Sequence, residues 1–375
     1  MNKAIVNFGP GPSYVDPEVN KRFVDVSGMI SPDGFMGTGM PIGSISHRSP
    51  IFLDNVLKPL NELVREFLEV PDNYNFFWTR DGATEQWSRI ARNFRNTFNS
   101  FNYINTGDFA QRAIKPHKQI FSYDWMQVNI INSNESFTYI PTEKVKKNSL
   151  THITWNNTVE GVEFKDKHLE YYSDSTIIAD ITSNMFSCKI LWEEHNVGMV
   201  YGSTTKQLGG AGSCLVIIRD DLLEQANTEF LSDSESYKVL VEKDSGLYTS
   251  NVEALLKAKI TLEFYKSKGG VAYYEEINKQ KAKILYDVID SSDGFYKGHV
   301  RGDSRSLMNV VFYLNNKTLT GEFLEEAEKC GLLMLKGHTI LPHSIRASIY
   351  NMMPIEFVER LAKFMKDFAE YCEQT

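Results

Sequence analysis

Residues 199–212 read MVYGSTTKQLGGAG, and residues 176–183 read TIIADITS. Each stretch carries a short apolar run of the length a buried strand needs. Each then breaks into small polar residues, and each break holds one charge: Lys206 in the first, Asp180 in the second. Ligands of open α/β sheets sit at strand ends, so the two charges are expected at one sheet edge. Alone, Asp180 reads as well as a helix N-cap, and Lys206 as an exposed loop lysine. Together, in this order and context, they are far more specific.

Working outward, residues 75–78, 152–155 and 215–218 are further short apolar runs separated by longer connections. They predict an α/β sheet covered on both faces. Val56, Leu60, Leu63, Val64 and Phe67 recur at helical spacing, which predicts a helix over 54–68 with one buried face. A long helix is predicted over 252–268, stopped by Gly269 and Gly270. Beyond it, 271–290 reads as a charged helix, 306–314 as a strand, and 322–330 as a helix ending at Gly331. Pro354 is placed just inside a last helix, with Val358, Leu361, Met365 and Phe368 on one face. The Gly- and Pro-rich start, to about Pro17, is expected to be irregular. The resulting division is a segment 1–17, a large unit 18–268 and a smaller α/β unit 269–375.

The 375 residues are 42% hydrophobic and 23% charged, with a net charge of −8. That composition supports a sizeable core and argues against disorder and against a basic nucleic-acid face. Lys144, Lys146 and Lys147 read as a solvated turn. The opening residues lack the apolar stretch of a signal peptide, and no run reaches the ~20 apolar residues of a membrane span. Cys188, Cys214, Cys330 and Cys372 lie far apart without a CxxC pair, as expected of reduced thiols in the cytoplasm. The eight histidines show no metal-ligand spacing, so no metal is expected.

A lysine and an acid at strand ends answer two demands of pyridoxal 5'-phosphate (PLP) chemistry. The cofactor aldehyde needs a lysine for its Schiff base, and the pyridine nitrogen needs an acid that keeps it protonated. The phosphate needs N–H groups, as at a helix N-terminus. The chain also resembles the phosphoserine aminotransferase family of class-V, fold-type I PLP enzymes over nearly its whole length. The segments that carry the resemblance are GSISHRSP, NNTVEGVEF, ADITSN, YGSTTKQLGGAG, SSDGFYKGHV, SLMNVVFYL and IRASIYNMMP.

The resemblance implies a large domain with a mixed, mostly parallel sheet between helices, plus a smaller C-terminal α/β domain. It implies a homodimer with shared active sites, acting on an amino acid and a 2-oxo acid. The reaction would convert L-glutamate and 3-phosphohydroxypyruvate to 2-oxoglutarate and O-phospho-L-serine, a step of serine biosynthesis. Lys206 would be the Schiff-base lysine and proton carrier, and Asp180 the partner of the pyridinium. Ala83 and Thr84 would bind the phosphate through their N–H groups. Phe109 would stack on the cofactor where the family usually has tryptophan, and Thr158 would hydrogen-bond it. Thr205 precedes the lysine, where glutamine is usual. Arg346 and His338 would bind substrate. His47 and Arg48 would reach the substrate's distal anion, and Thr249 and Ser250 the cofactor phosphate, each from the neighbouring subunit.

Other departures bear on the substrate. Asp81 stands in a phosphate loop that is usually glycine-rich. The family's GHR becomes Gly337-His338-Thr339, which removes one cation from the distal phosphate; Lys336 and His343 are the candidates to replace it. An aminotransferase for another anionic 2-oxo acid is therefore the alternative. A PLP lyase or desulfurase is the rival from another reaction class, and it would need a mobile catalytic cysteine.

Overall fold

Short strands rich in Val, Ile and aromatic residues build one central sheet, as β-branched and aromatic side chains favour. They are β1 (Tyr74–Thr79), β2 (Ser100–Asn105), β3 (Gln127–Asn132), β4 (Leu150–Thr154), β5 (Thr176–Asp180), β6 (Val197–Ser203) and β7 (Cys214–Arg219). The structure is a computed structural model that describes residues 5–374 except 96, 99 and 121–126. The spatial order is β1-β7-β6-β5-β4-β2-β3. β7 is antiparallel to both of its neighbours, and the remaining pairs are parallel. β1 to β6 therefore all end at the same edge.

Helices cover both faces of the sheet. The longer helices are α1 (Pro17–Val26), α2 (Lys58–Leu68), α3 (Ala83–Asn93), α4 (Asp108–Ile120), α5 (Val252–Lys268), α6 (Gly270–Asp290), α7 (Thr320–Lys329) and α8 (Ile355–Gln374), the last two packed on a second sheet. Val64 of α2 and Leu262 of α5 pack with Ile177 and Val200 on one face. Ile90 of α3 and Ile114 of α4 pack with Ile178 and Met199 on the other. Gly269 ends α5 in the left-handed conformation, with φ 114°, as a residue without Cβ allows. A second sheet, β8 (Tyr296–Gly298), β9 (Asn309–Leu314) and β10 (Ile345–Ser348), is antiparallel. Its core joins Val310 and Phe312 to Leu285 of α6, Phe323 of α7 and Leu361 of α8. Among the described residues no helix is long and apolar enough to cross a membrane.

Several local expectations are corrected. β2 and β3 were not foreseen, because Asn102, Asn105 and Asn129 interrupt their apolar pattern. Those amides are paired across strands: Asn129 Nδ2 donates to Asn102 Oδ1 at 2.9 Å and Asn105 Nδ2 to Asn132 Oδ1 at 2.8 Å. The helix read over 54–68 begins as a π-turn, Leu53–Leu57, before α2. Pro59 lacks the N–H that would otherwise bond back one turn. Pro354 precedes α8 and is not its first residue. The start of the chain is not wholly irregular: Val6–Asn7 pairs in parallel with Leu332–Leu333, and Val6 and Phe8 join the second core. Residues 1–4 of the segment read as 1–17 lie outside the described residues.

Behind β10, α6 buries a lysine completely. Lys281 Nζ donates to the carbonyls of Ile349, Tyr350 and Met353 at 2.9, 2.7 and 3.2 Å, and so fixes the turn that follows Arg346. Lys281→Met would strand the Ile349 and Met353 carbonyls, while Tyr350 O keeps Met353 N at 2.9 Å. The expected loss is about 2–4 kcal/mol, seen as a lower urea midpoint at an unchanged slope. An unchanged midpoint would mean that the carbonyls find other donors.

Candidate active site

The shared strand edge opens into a cavity of about 370 Å³. Lys206 enters it from the loop after β6. That loop is pinned on several sides: Thr204 N donates to Ser213 O at 3.0 Å, and Gln207 Nε2 to Ser183 O at 3.0 Å. Asn351 N in turn donates to Gln207 Oε1 at 3.2 Å, which ties the lysine loop to the turn after β10. Lys206 Nζ donates to Thr158 Oγ1, and to Ser183 Oγ at 2.7 Å. Burial lowers its pKa to about 8, against the pull of the Asp180 carboxylate and with the push of Arg346.

Asp180 closes β5 and is 5% exposed. Its Oδ1 accepts from Thr182 N at 2.9 Å. Burial raises its pKa, opposed by the Thr182 hydrogen bonds and by Lys206. A buried carboxylate without a cation in hydrogen-bond contact is costly, and a protonated pyridine nitrogen supplies that contact. Arg346, on β10, is likewise buried; its Nη1 donates to Thr158 O at 3.3 Å while Nε has no partner. Such a guanidinium suits an incoming carboxylate.

The phosphate end is a helix start. Ala83 and Thr84 are the first two residues of α3 and line the cavity, so their N–H groups have no partner within the helix. Asp81 does not face this site with a bare charge. Its carboxylate takes Arg89 Nη2 at 2.8 Å and Thr79 Oγ1 at 2.6 Å. Phe109, on the first turn of α4, puts its ring 5.1 Å from Lys206 Nζ. Glu160 holds that turn by accepting Asp108 N at 2.9 Å. Gly107 is required there, since a Cβ would sit 2.3 Å from Glu160 Oε2.

The structure thus gathers Lys206, Asp180, Ala83, Thr84, Phe109, Thr158, Thr205, His338 and Arg346 around one cavity. It does not bring His47, Arg48, Thr249 or Ser250 to that lining. Those four lie on neighbouring loops: Arg48 Nη2 donates to Gly246 O at 2.9 Å and Ser250 Oγ to Ser245 O at 3.0 Å. Thr339, Lys336 and His343 are exposed and absent from the lining, so His338 alone of that loop reaches the cavity. Sequence reasoning missed Ser183 and Arg112 as lining residues. Ser183 was legible, as a hydroxyl three residues past the strand-end acid. Arg112 was not, because only the packing of α4 turns it toward the site.

The class-V aminotransferase family profile matches residues 44–361. A phosphoserine aminotransferase of Listeria monocytogenes is 36% identical over 371 residues, covering 97% of this chain and 96% of its own. The chain belongs to the phosphoserine aminotransferase family. A second member, from Lactococcus lactis, is 34% identical over 98% of this chain and 99% of its own. Among solved structures, the family's enzyme from Bacillus circulans subsp. alkalophilus superposes with a TM-score of 0.88 at 30% identity, covering 99% of each chain. A PLP-bound phosphoserine aminotransferase from Trichomonas vaginalis gives 0.86 at 28% identity, over 97% of this chain and 100% of that one. The protein is therefore a PLP-dependent aminotransferase of fold type I, as the resemblance implied.

Proposed function

We propose that this aminotransferase converts L-glutamate and 3-phosphohydroxypyruvate to 2-oxoglutarate and O-phospho-L-serine, the transamination of serine biosynthesis. The observation that carries this reading is the convergence of Lys206, Asp180, Arg346 and the start of α3 on one cavity, in a chain whose full-length relatives are phosphoserine aminotransferases.

Bound PLP supplies an electron sink that stabilises negative charge at the substrate Cα. The chain's own residues do the rest. Ala83 and Thr84 hold the cofactor phosphate through their N–H groups, helped by the positive end of α3. Asp180 keeps a proton at the pyridine nitrogen. Phe109 would cover one face of the ring and exclude water, and Thr158 and Thr205 would offer it their hydroxyls. Lys206 would hold the cofactor by its aldehyde and, as a free amine, would move a proton from the substrate Cα, a task that its lowered pKa favours. Arg346 orients the α-carboxylate by two parallel hydrogen bonds, and His338 faces the distal group. Residues 18–268 form the cofactor-binding unit and 269–375 the smaller unit, with 1–17 as a leading segment.

A homodimer with shared sites is part of the proposal. Met29, Ile30, Met36 and Met40 are 47%, 71%, 52% and 46% exposed, shortly before His47 and Arg48. Apolar exposure of this density favours a protein interface. Across it, His47, Arg48, Thr249 and Ser250 serve the neighbouring cavity. Mixing Lys206→Ala with Arg48→Ala subunits is expected to restore up to about a quarter of wild-type activity, because random pairing yields hybrids with one intact site. No recovery after demonstrated subunit exchange would mean that each site is built within one chain. The spread of free cysteines suits the cytoplasm.

An aminotransferase for another anionic 2-oxo acid is the second reading, favoured by the exposed Thr339 where the family has arginine. The desulfurase alternative loses support, since no cysteine lines the cavity and Cys214 is buried within β7. The test is a half-reaction screen of the PLP form, followed by absorbance. Phosphoserine and glutamate are expected to convert it readily, and serine, alanine and aspartate poorly. Inert phosphoserine beside a reactive unphosphorylated amino acid would reject the substrate assignment and retain the aminotransferase.

A further inference from the structure

We infer that Arg112 is a specificity residue of this site, binding the phosphate of the substrate at the cavity mouth; the inference rests on the phosphate-bearing substrate proposed above. Four basic side chains line the cavity: Arg112, Lys206, His338 and Arg346. Lys206 is committed to the cofactor and Arg346 to the α-carboxylate. A phosphate monoester carries close to two negative charges near neutral pH, and His338 alone offers at most one. Arg112 is the remaining cation that this chain places in its own cavity, beside the His47 and Arg48 proposed from the neighbouring subunit.

Its geometry fits that task. Arg112 sits one turn past Phe109 on α4, and its guanidinium lies 5.5 Å from the Phe109 ring centroid. The same ring is 5.1 Å from Lys206 Nζ, so both cations lie against one aromatic ring. Asp108 fixes the near side of the guanidinium, with Nε 2.8 Å from Oδ2. Among the described residues no hydrogen bond engages Nη1 or Nη2. The pair therefore orients the side chain: an ion-paired Nε and a two-nitrogen fork without hydrogen bonds, the geometry that matches phosphate oxygens. The side chain is 52% exposed, which places the fork at the mouth. The cofactor phosphate, by contrast, is assigned to the N-terminus of α3.

Arg112→Gln and Arg112→Lys test this in the PLP-loaded enzyme, alongside wild type. Arg112→Gln is expected to raise KM for phosphoserine about ten- to hundred-fold, the range for a lost charge-assisted contact. Its kcat should stay within about threefold of wild type, and its KM for glutamate should rise less than that for phosphoserine, because glutamate's distal group carries one charge and not two. Arg112→Lys should recover part of the loss, and inorganic phosphate should compete less well with phosphoserine in Arg112→Gln. PLP titrated into the apo forms should bind wild type and Arg112→Gln equally. Weaker PLP binding, with equal KM changes for both substrates, would assign Arg112 to the cofactor phosphate and overturn the proposal. Wild-type turnover of phosphoserine with an unchanged KM in Arg112→Gln would overturn this inference alone. A wild-type enzyme blind to phosphoserine would overturn the substrate assignment along with it.

Discussion

Lys206→Ala is expected to lose at least about 10³-fold in kcat, the scale of a lost general base, with little change in folding. In wild type the amine is buried and donates to Thr158 and Ser183. It is the lysine that lines the cavity beside Asp180. Borohydride treatment of the loaded protein should fix the cofactor to one peptide, the one containing Lys206. Labelling of another lysine would refute the assignment. The lowered pKa adds a pH signature. Only the neutral amine attacks an aldehyde, and burial brings its pKa from 10.5 to about 8. Capture of PLP by the apo protein should therefore accelerate as pH rises through about 8 and then level off. An ordinary lysine would still be accelerating two units higher. For stability the sign is fixed too. Between about 8 and 10.5 the unfolded chain binds more protons at this position, so apo stability contributed by Lys206 rises with pH across that window.

Asp180→Asn is expected to cost about 10²- to 10³-fold in turnover, the scale of removing one preorganised charge contact, while leaving the fold intact. Asparagine keeps an oxygen for Thr182 N, so the turn after β5 survives. It cannot hold a proton at the pyridine nitrogen, so the electron sink weakens. The apo protein supplies an independent readout. Burial penalises the Asp180 carboxylate, and a neutral amide escapes that penalty. The apo variant should thus melt at or above the wild-type temperature even as the loaded enzyme fails. Near-normal turnover would reduce Asp180 to a structural cap.

The site was partly legible because PLP chemistry constrains local sequence. Lys206 and Asp180 end apolar strand runs, and Ala83 and Thr84 begin an amphipathic helix after another such run. Strand ends and helix starts follow from periodicity. Arg112 escaped notice because an exposed arginine on a helix carries no local signature. β2 and β3 escaped it because their buried asparagines look like loop residues until cross-strand partners exist. Lys281 read as part of a charged helix, and only its neighbours show it buried against three carbonyls.

By itself the sequence determined the α/β class, the strand-end lysine and acid, the helix stop at Gly269, and the family. These depend on hydrophobic spacing, backbone freedom and motif order, which are properties of neighbouring residues. Only the tertiary structure decided the strand order that brings six strand ends to one edge. It alone put Val6 and Phe8 into the core of the C-terminal sheet, left Thr339 outside the cavity, and paired Asp81 with Arg89. It also lowered the Lys206 pKa, since desolvation requires every surrounding wall to be in place. Such outcomes depend on groups far apart in the chain meeting at one point, and no local pattern encodes that meeting.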